Sequence, residues 1–371
     1  MKKVLFYYPS NKRTIAMETL LISLRDYGYD IIVLTTCKKG DFHNELEKNN
    51  IRTYENEVLS TNSFVYYLKQ WMFLVVFCKK HKIDFLHSHL QHANIIAVLA
   101  QFFIKAKCVI FRHHCNFLVS GITQQNKTEK LFDKIIHLLS KKIIVPSLGV
   151  KNEIEKNETK NITKYIILPY IYDFSKYASP NYNKVTEIRK QFDAELLLLF
   201  SSRFIELKRP FVALNILKTL VDKGLNIKLL ILDDGPLKQD MENFINQNNL
   251  SSNVFIIGFR RDYIDFFQAC DILIHPSLTD ASNSTVKEMA LLEKCVITCR
   301  DTGDFDEYIV NNENGFLVSK ENTVDDMVEI VSELYENRKK MKEIGIKLRH
   351  DVLNKFSNSN EIIEKYIKET L

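Results

Sequence analysis

The stretch Ile272-Leu273-Ile274-His275-Pro276-Ser277-Leu278-Thr279-Asp280-Ala281-Ser282-Asn283-Ser284-Thr285-Val286-Lys287-Glu288-Met289-Ala290 decides the fold. It opens as a short apolar run and breaks at Pro276 into small polar residues. It resumes near Ser284 with helical spacing. Ser282, Asn283 and Ser284 are all side chains that cap helix starts well. One strand, one tight loop and one helix are therefore predicted in nineteen residues. The same unit repeats in both directions. Upstream, apolar runs at Leu196–Ser201, Ile227–Leu232 and Val254–Ile257 alternate with helical patterns at Phe211–Lys223, Leu237–Gln247 and Asp262–Ala269. Downstream, Cys295–Cys299 and Phe316–Val318 flank the helical pattern Val324–Tyr335.

The first half reads the same way. Strands are expected at Lys3–Tyr8, Tyr29–Thr35, Ile83–Leu86, Lys107–Arg112, Lys142–Pro146 and Tyr165–Leu168, with helices at Thr14–Tyr27, Phe64–His81, Asn94–Ile104 and Thr128–Leu139. Alternation of this kind predicts an α/β protein with parallel sheets covered by helices on both faces, and continuous apolar strands fit burial on both faces. The 371 residues suffice for two such doubly wound domains in tandem. The expected limits are 1–175 for the first and 185–350 for the second, joined by an aperiodic stretch, with a C-terminal helix over 351–371. Ligands of such sheets bind beyond the carboxyl ends of the strands, so a cleft between the two domains is the expected site.

Composition narrows the class. Hydrophobic residues make up 46% and charged residues 26%, which excludes a disordered or collagen-like chain. Residues 1–180 carry 26 Lys/Arg and 15 Asp/Glu, a balance of +11, whereas residues 181–371 carry 25 and 31, a balance of −6. Opposite signs suit two domains with different partners. Seven cysteines without a CxxC pair fit a reducing cytosol rather than a disulfide framework or zinc knuckle. Pro9 stops the opening apolar run after five residues, which reads as a first strand and not a leader.

Two groups of residues carry chemistry. The helix start at Ala281–Ser284 presents unpaired backbone N–H groups and a favourable dipole to a phosphate. Asp280 and Glu288, with seven residues between them, flank it and offer carboxylates to sugar hydroxyls. Taken alone, the same residues also describe a capped helix with one solvated acid. The second group is Ser201-Ser202-Arg203-Phe204-Ile205-Glu206-Leu207-Lys208-Arg209-Pro210, directly after a strand. Arg203 and Lys208 can clamp a diphosphate, and a charged surface loop is the plainer alternative.

In the order in which they occur, these pieces resemble the retaining family-4 glycosyltransferases of the two-domain GT-B fold. The resemblance runs through Arg203 and Lys208, Asp233-Asp234-Gly235-Pro236-Leu237, Asn253-Val254-Phe255-Ile256-Ile257-Gly258-Phe259, Ala269-Cys270-Asp271-Ile272, the pair Asp280 and Glu288, and Asn314-Gly315-Phe316-Leu317-Val318. It implies two Rossmann-like domains facing a cleft, with the C-terminal helix returning to the first. It implies that Arg203 and Lys208 bind the donor diphosphate, Asp280 the donor sugar and Glu288 the ribose. Ala281, Ser282, Asn283 and Ser284 would meet the phosphates and Phe259 the base. A UDP-sugar is the favoured donor, with no cofactor and no metal. In the first half, Phe111-Arg112-His113-His114 implies a cleft role for His114, and Lys12, Arg13 and His89 are candidates near the acceptor. His87, His89 and His92 lack the spacing of a zinc site. The sequence departs from the family pattern in three places: no glycine in Pro9–Thr14, Asp280 for a Glu, and Ser202 for a Gly.

The basic first half also bears on the acceptor. Phe64–Cys78 is rich in aromatics and ends at Lys79-Lys80-His81-Lys82. Most of its apolar residues are expected in the core, while the surrounding charge allows peripheral contact with an anionic membrane and suits a lipid-linked glycan acceptor. No nucleic-acid motif accompanies the charge. The reading is a cytoplasmic transferase, at the inner membrane face if that contact is made, building surface glycan. A nucleotide-sugar 2-epimerase of the same fold, or a non-catalytic nucleotide-sugar-binding subunit, are the alternatives.

Overall fold

Short apolar runs bounded by loop residues become parallel strands, and the segments between them become helices laid over the sheets. A computed structural model of the chain describes residues 1–116, 127–177 and 179–371. It divides into two units, one of residues 1–176 with 356–371 and one of residues 177–355.

The first unit holds strands β1 (Lys3–Tyr8), β2 (Asp30–Thr35), β3 (Arg52–Glu55), β4 (Phe85–His89), β5 (Lys107–Phe111), β6 (Ile143–Val145) and β7 (Tyr165–Ile167). They form one sheet in the order β3-β2-β1-β4-β5-β6-β7, with parallel pairings throughout. Its helices are α1 (Ile15–Asp26), α2 (Asp41–Lys48), α3 (Ser63–His81), α4 (Gln91–Ala100), α5 (Lys127–Leu139) and α6 (Leu148–Asn157).

The second unit holds β8 (Leu196–Ser201), β9 (Ile227–Leu232), β10 (Val254–Gly258), β11 (Ile272–His275), β12 (Cys295–Cys299) and β13 (Phe316–Val318), in the order β10-β9-β8-β11-β12-β13 and again parallel. Helices α7 (Tyr182–Phe192), α8 (Pro210–Asp222), α9 (Lys238–Gln247), α10 (Tyr263–Ala269), α11 (Ser284–Leu291), α12 (Thr323–Glu336) and α13 (Arg338–Phe356) surround it. Leu196 through Phe200 are fully buried, as a central strand covered on both faces requires. Strand order reverses between β8 and β11. The crossovers after these two strands therefore run to opposite sides, and such sheets bind ligands in the crevice at that point.

Three expectations change. Strand β4 runs on to His89, so His87 and His89 are strand residues. Strand β3 was not expected, because an edge strand of sequence Arg-Thr-Tyr-Glu has no apolar run to betray it. The single C-terminal helix is two: α13, and α14 (Asn360–Thr370), whose Ile363 and Tyr366 lie in the core of the first unit. There the Thr370 carbonyl lies 3.2 Å from His87 Nε2.

The expectation for Phe64–Cys78 is corrected as well. Leu74, Val75, Phe77 and Cys78 are buried, but Phe64, Leu68, Met72, Phe73 and Val76 are exposed. A helix on the outside of a sheet can bury only one face, and this one is apolar on both. Among the described residues no helix is long and apolar enough to cross a membrane.

Candidate active site

The loops leaving β8 and β11 are tied together by backbone and side-chain hydrogen bonds. Leu278 N donates to the Leu207 carbonyl at 2.9 Å, and Ser277 Oγ donates to the same oxygen at 3.3 Å. Phe204 is fully buried and anchors the first loop. Gly235, after β9, lies against its backbone: a Cβ there would meet Phe204 N at 2.6 Å and Phe204 O at 2.7 Å. Only a residue without a side chain permits that approach.

The two cations of this loop have different surroundings. Arg203 is exposed, and among the described residues its guanidinium has no hydrogen-bond or ion-pair partner. Lys208 closes a short 3₁₀ turn and turns inward. Its Nζ lies 2.7 Å from Asp280 Oδ2 and donates to the Thr279 carbonyl at 3.1 Å and Ser277 Oγ at 3.3 Å.

Asp280, expected from the sequence beside the donor sugar, is held by its own neighbours. Oδ2 also lies 3.1 Å from His275 Nε2 and accepts from Asn283 Nδ2 at 3.0 Å, while Oδ1 accepts from the Ala281 amide at 3.0 Å. Burial pushes this carboxyl up, but the Lys208 charge and the His275 contact outweigh it and hold it well below the usual carboxylate range. Burial lowers the His275 imidazole, against the pull of Asp280. A side chain one methylene shorter than Glu stays close to its own loop, and the physical reason for the inward pairing is that reach.

The helix start behind it is built as a cradle. Asn283 Oδ1 accepts from the Val286 amide at 3.1 Å, capping α11, and the other first-turn amides lack an intrahelical acceptor, as at any helix start. Ala281 and Ser282 are fixed by the loop after β12. Gly303 (φ +59°) places a would-be Cβ 3.1 Å from the Ala281 carbonyl. Ser282 Oγ donates to Asp304 Oδ2 at 2.5 Å, and Lys287 Nζ reaches Asp304 Oδ2 at 2.9 Å, Ser282 Oγ at 2.8 Å and the Asn283 carbonyl at 3.3 Å. The Lys287 side chain is fully buried. Ser284, at the first position of α11, is exposed.

Glu288, one turn into α11, is almost buried. Tyr263 donates its hydroxyl to Glu288 Oε1 at 3.4 Å. Burial pushes the carboxyl up to about 7, although the Tyr263 bond and the Lys287 charge oppose this. The Tyr177 and Tyr263 hydroxyls are pushed up in turn, first by burial and then by the Glu288 charge. Phe259, just after β10, is 75% exposed, as a ring free to stack on a planar ligand is.

Residues suggested in the first unit lie at the carboxyl ends of its strands. His114 is half-buried and lines a small pocket with Arg112, Asn116 and Asp133. Arg112 is buried there between Glu158 at 2.6 Å and Asp133 at 3.5 Å. Lys12 is exposed. Arg13 is paired to Glu18 at 2.8 Å and Glu45 at 3.4 Å, so its charge is answered within the unit. His89 does not line an open surface. Extension of β4 carries it into the core, where it stacks on Phe111 with ring centres 4.3 Å apart and lies 3.1 Å from His113 Nε2. His113 in turn meets the Tyr170 hydroxyl. Among the described residues no group of three or more His, Cys, Asp or Glu side chains is placed to hold a metal.

Sequence reasoning missed Tyr177, Tyr263, His275 as a partner of Asp280, and the Lys287–Asp304 pair. Only Lys287 left a signal, as a lysine set among Val286, Met289 and Ala290.

Two family models match this chain, Glycosyltransferase Family 4 over residues 15–164 and Glycosyl transferases group 1 over residues 184–351. The chain belongs to glycosyltransferase family 4. This family-4 glycosyltransferase is 22% identical over 258 residues to the poly(ribitol-phosphate) alpha-N-acetylglucosaminyltransferase of Staphylococcus aureus, covering 69% of this chain and 51% of that one. It thus spans about half the length of that relative. It is also 22% identical over 317 residues to the UDP-Gal:alpha-D-GlcNAc-diphosphoundecaprenol alpha-1,3-galactosyltransferase of Escherichia coli, covering 79% and 80% of the two chains. Among solved structures, the Anabaena protein HepE in complex with UDP superposes with a TM-score of 0.79 at 19% identity, covering 99% of each chain. That likeness establishes the GT-B fold.

Proposed function

We propose that this glycosyltransferase moves a sugar from a nucleoside-diphosphate sugar, with UDP as the favoured nucleotide, to a hydroxyl of a lipid-linked glycan, with retained configuration and without a metal ion. The setting is the cytoplasm at the inner membrane face, in the synthesis of cell-surface polysaccharide. The observation that carries the donor assignment is Arg203: an exposed guanidinium that has no hydrogen-bond or ion-pair partner among the described residues, beside the β8–β11 crevice and five residues from Lys208.

The chemistry follows from charge. The acceptor oxygen bonds to the anomeric carbon as the bond from that carbon to the diphosphate oxygen breaks. The electron pair goes to the departing diphosphate, which also takes the acceptor's proton on the same face. Negative charge grows on the phosphates, and fixed cations and amides aimed at growing charge lower the barrier most. Arg203, Lys208 and the first-turn amides of α11 are suited to that task. Lys208 arrives already oriented by Asp280, so its ammonium needs no reorganisation. Asp280 serves as its holder as well as a neighbour of the donor sugar. Glu288 accepts from ribose hydroxyls, and Phe259 covers the base. His114 is the proposed contact of the first unit with the transferred sugar, and the exposed Lys12 its positive charge toward the acceptor.

Support for the nucleotide and acceptor classes comes from the activities for which the two relatives are named and from UDP in HepE. A thermal-shift series with UDP, GDP, ADP, CMP and their sugar conjugates tests the reading, because a ligand of the folded state raises the unfolding midpoint. One diphosphate should raise it, and Arg203→Ala and Glu288→Ala should abolish the rise. No rise with any nucleotide would sink the donor assignment. Turnover of the donor without an acceptor would point instead to epimerisation, and retained activity in EDTA checks metal independence.

A further inference from the structure

Helix α3 is built the wrong way round for a helix that meets only water. Its inner face buries Leu74, Val75, Phe77 and Cys78. Its outer face exposes Phe64 (74%), Leu68, Met72, Phe73 and Val76 (62%). Phe64, Leu68, Met72 and Val76 follow one another at intervals of four, with Phe73 beside Met72, so they form one stripe along the helix. The stripe continues sideways. Trp71 meets Phe103 edge-on with ring centres 5.0 Å apart, and Phe102 and Phe103, just past α4, are themselves more than half exposed.

The charges on this face have one sign. Lys69, Lys79 and Lys80 are exposed on the same side of α3, and the helix contains no Asp or Glu. Lys105 is exposed next to the Phe102–Phe103 pair. Contiguous apolar surface of this size marks a binding site on a monomer. A second copy of the chain is a poor occupant, since it would bring two lysine sets together, and like charges face to face cost affinity. A spanning role is excluded by the helix itself, which falls short of the apolar length needed. Aromatic and aliphatic side chains bordered by lysines match the acyl boundary and phosphates of an anionic bilayer.

We propose that the outer face of α3, extended by Phe102 and Phe103, is the surface by which this protein lies on anionic phospholipid. The membrane setting belongs to the function proposed above, and the assignment of that contact to this face is what the structure adds. The apolar stripe enters the interface and the lysines meet lipid phosphate. The contact raises the local concentration of a lipid-linked acceptor without adding any group to the reaction.

Co-sedimentation of the full chain with vesicles tests it, using phosphatidylglycerol:phosphatidylcholine 1:1 against phosphatidylcholine alone. Binding is expected to the anionic vesicles and to fall steeply with added salt. The Lys69→Gln/Lys79→Gln/Lys80→Gln variant should lose roughly fivefold per lysine, or about a hundredfold in all. The Phe64→Ser/Met72→Ser/Val76→Ser variant should lose binding by at least about tenfold. Both variants should keep the wild-type midpoint rise with UDP, because neither touches the second unit. Equal binding to neutral vesicles, no binding, or binding unchanged in both variants would overturn the proposal. A wild-type dimer dissolved by the Ser variant would overturn it too, by assigning the face to a second copy. Loss of the UDP response in wild type would strike the donor reading alone, and leave the vesicle result to stand by itself.

Discussion

Replacing Lys287 by Met should be among the most damaging single changes in the second unit, and the structure gives the size. The ammonium is fully buried and its partner Asp304 is 2% exposed, 2.9 Å away. Met fills nearly the same space but leaves a carboxylate inside the protein with, among the described residues, only the Ser282 hydroxyl for a side-chain partner. Breaking a buried pair from one side costs about 3–5 kcal/mol. For a unit of this size each kcal/mol moves the midpoint by about 2–4 °C, so a fall of roughly 6–20 °C is expected. Lys287→Met/Asp304→Asn removes both charges and keeps a donor for Ser282. Neutral replacement of a buried pair is often harmless, so this variant should recover most of the loss. Differential scanning calorimetry of wild type, single and double variants reads the effect directly. A single variant within about 1 kcal/mol of wild type, or a double variant no better than the single, would refute the account of Lys287 as a paired buried charge.

Other outcomes follow from the same geometry. Arg203→Ala should leave the midpoint unchanged, as its exposed guanidinium has no hydrogen-bond or ion-pair partner among the described residues, and weaken UDP binding by about 10–100-fold in calorimetric titration. Glu288 holds its proton to about pH 7 in the folded chain, well above its ordinary value, so the folded state binds more protons between the two pKa values and stability falls as pH rises through that window. Glu288→Gln should flatten that fall in unfolding measurements from pH 5 to 8, whereas UDP affinity of the wild type should rise over the same range as the carboxylate forms. Gly235→Ala should cost about 1–3 kcal/mol by forcing the Phe204 backbone aside, and should weaken UDP binding along with it; an unchanged midpoint would mean that the loop yields freely.

The sequence revealed the parallel sheets because their strands are continuous apolar runs between loop residues, as Leu196–Phe200 is. It missed β3, an edge strand whose Arg52 and Glu55 face solvent, and it ran α14 into α13 because the break at 357–359 is short and polar. At the site, the strand–loop–helix around Asp280 was legible from capping residues and spacing. The partners were not. Lys208 and Asp280 lie 72 positions apart, and Ser282 and Asp304 lie 22 apart, so nothing local announces either pair. For the same reason the lysine partner of Asp280 was not foreseen beside its expected role toward the sugar. The outer face of α3 was misjudged because apolar residues on both sides of a helix look like a core helix until the sheet shows which side it covers.

The return of α14 to the first unit has a consequence for how the chain is made. Ile363 and Tyr366 belong to the same core as Val4 and Phe6, which precede them by more than 350 positions in the chain. His87 meets a carbonyl at residue 370, so that core stays open at one side while the entire second unit is being translated and released. The ribosome therefore delivers the half that begins first as the half that is finished last. A nascent chain of this protein must hold an unsealed sheet through the 179 residues of the second unit, and a frameshift or stop just beyond residue 356 would damage the fold of the first unit while leaving the second unit whole.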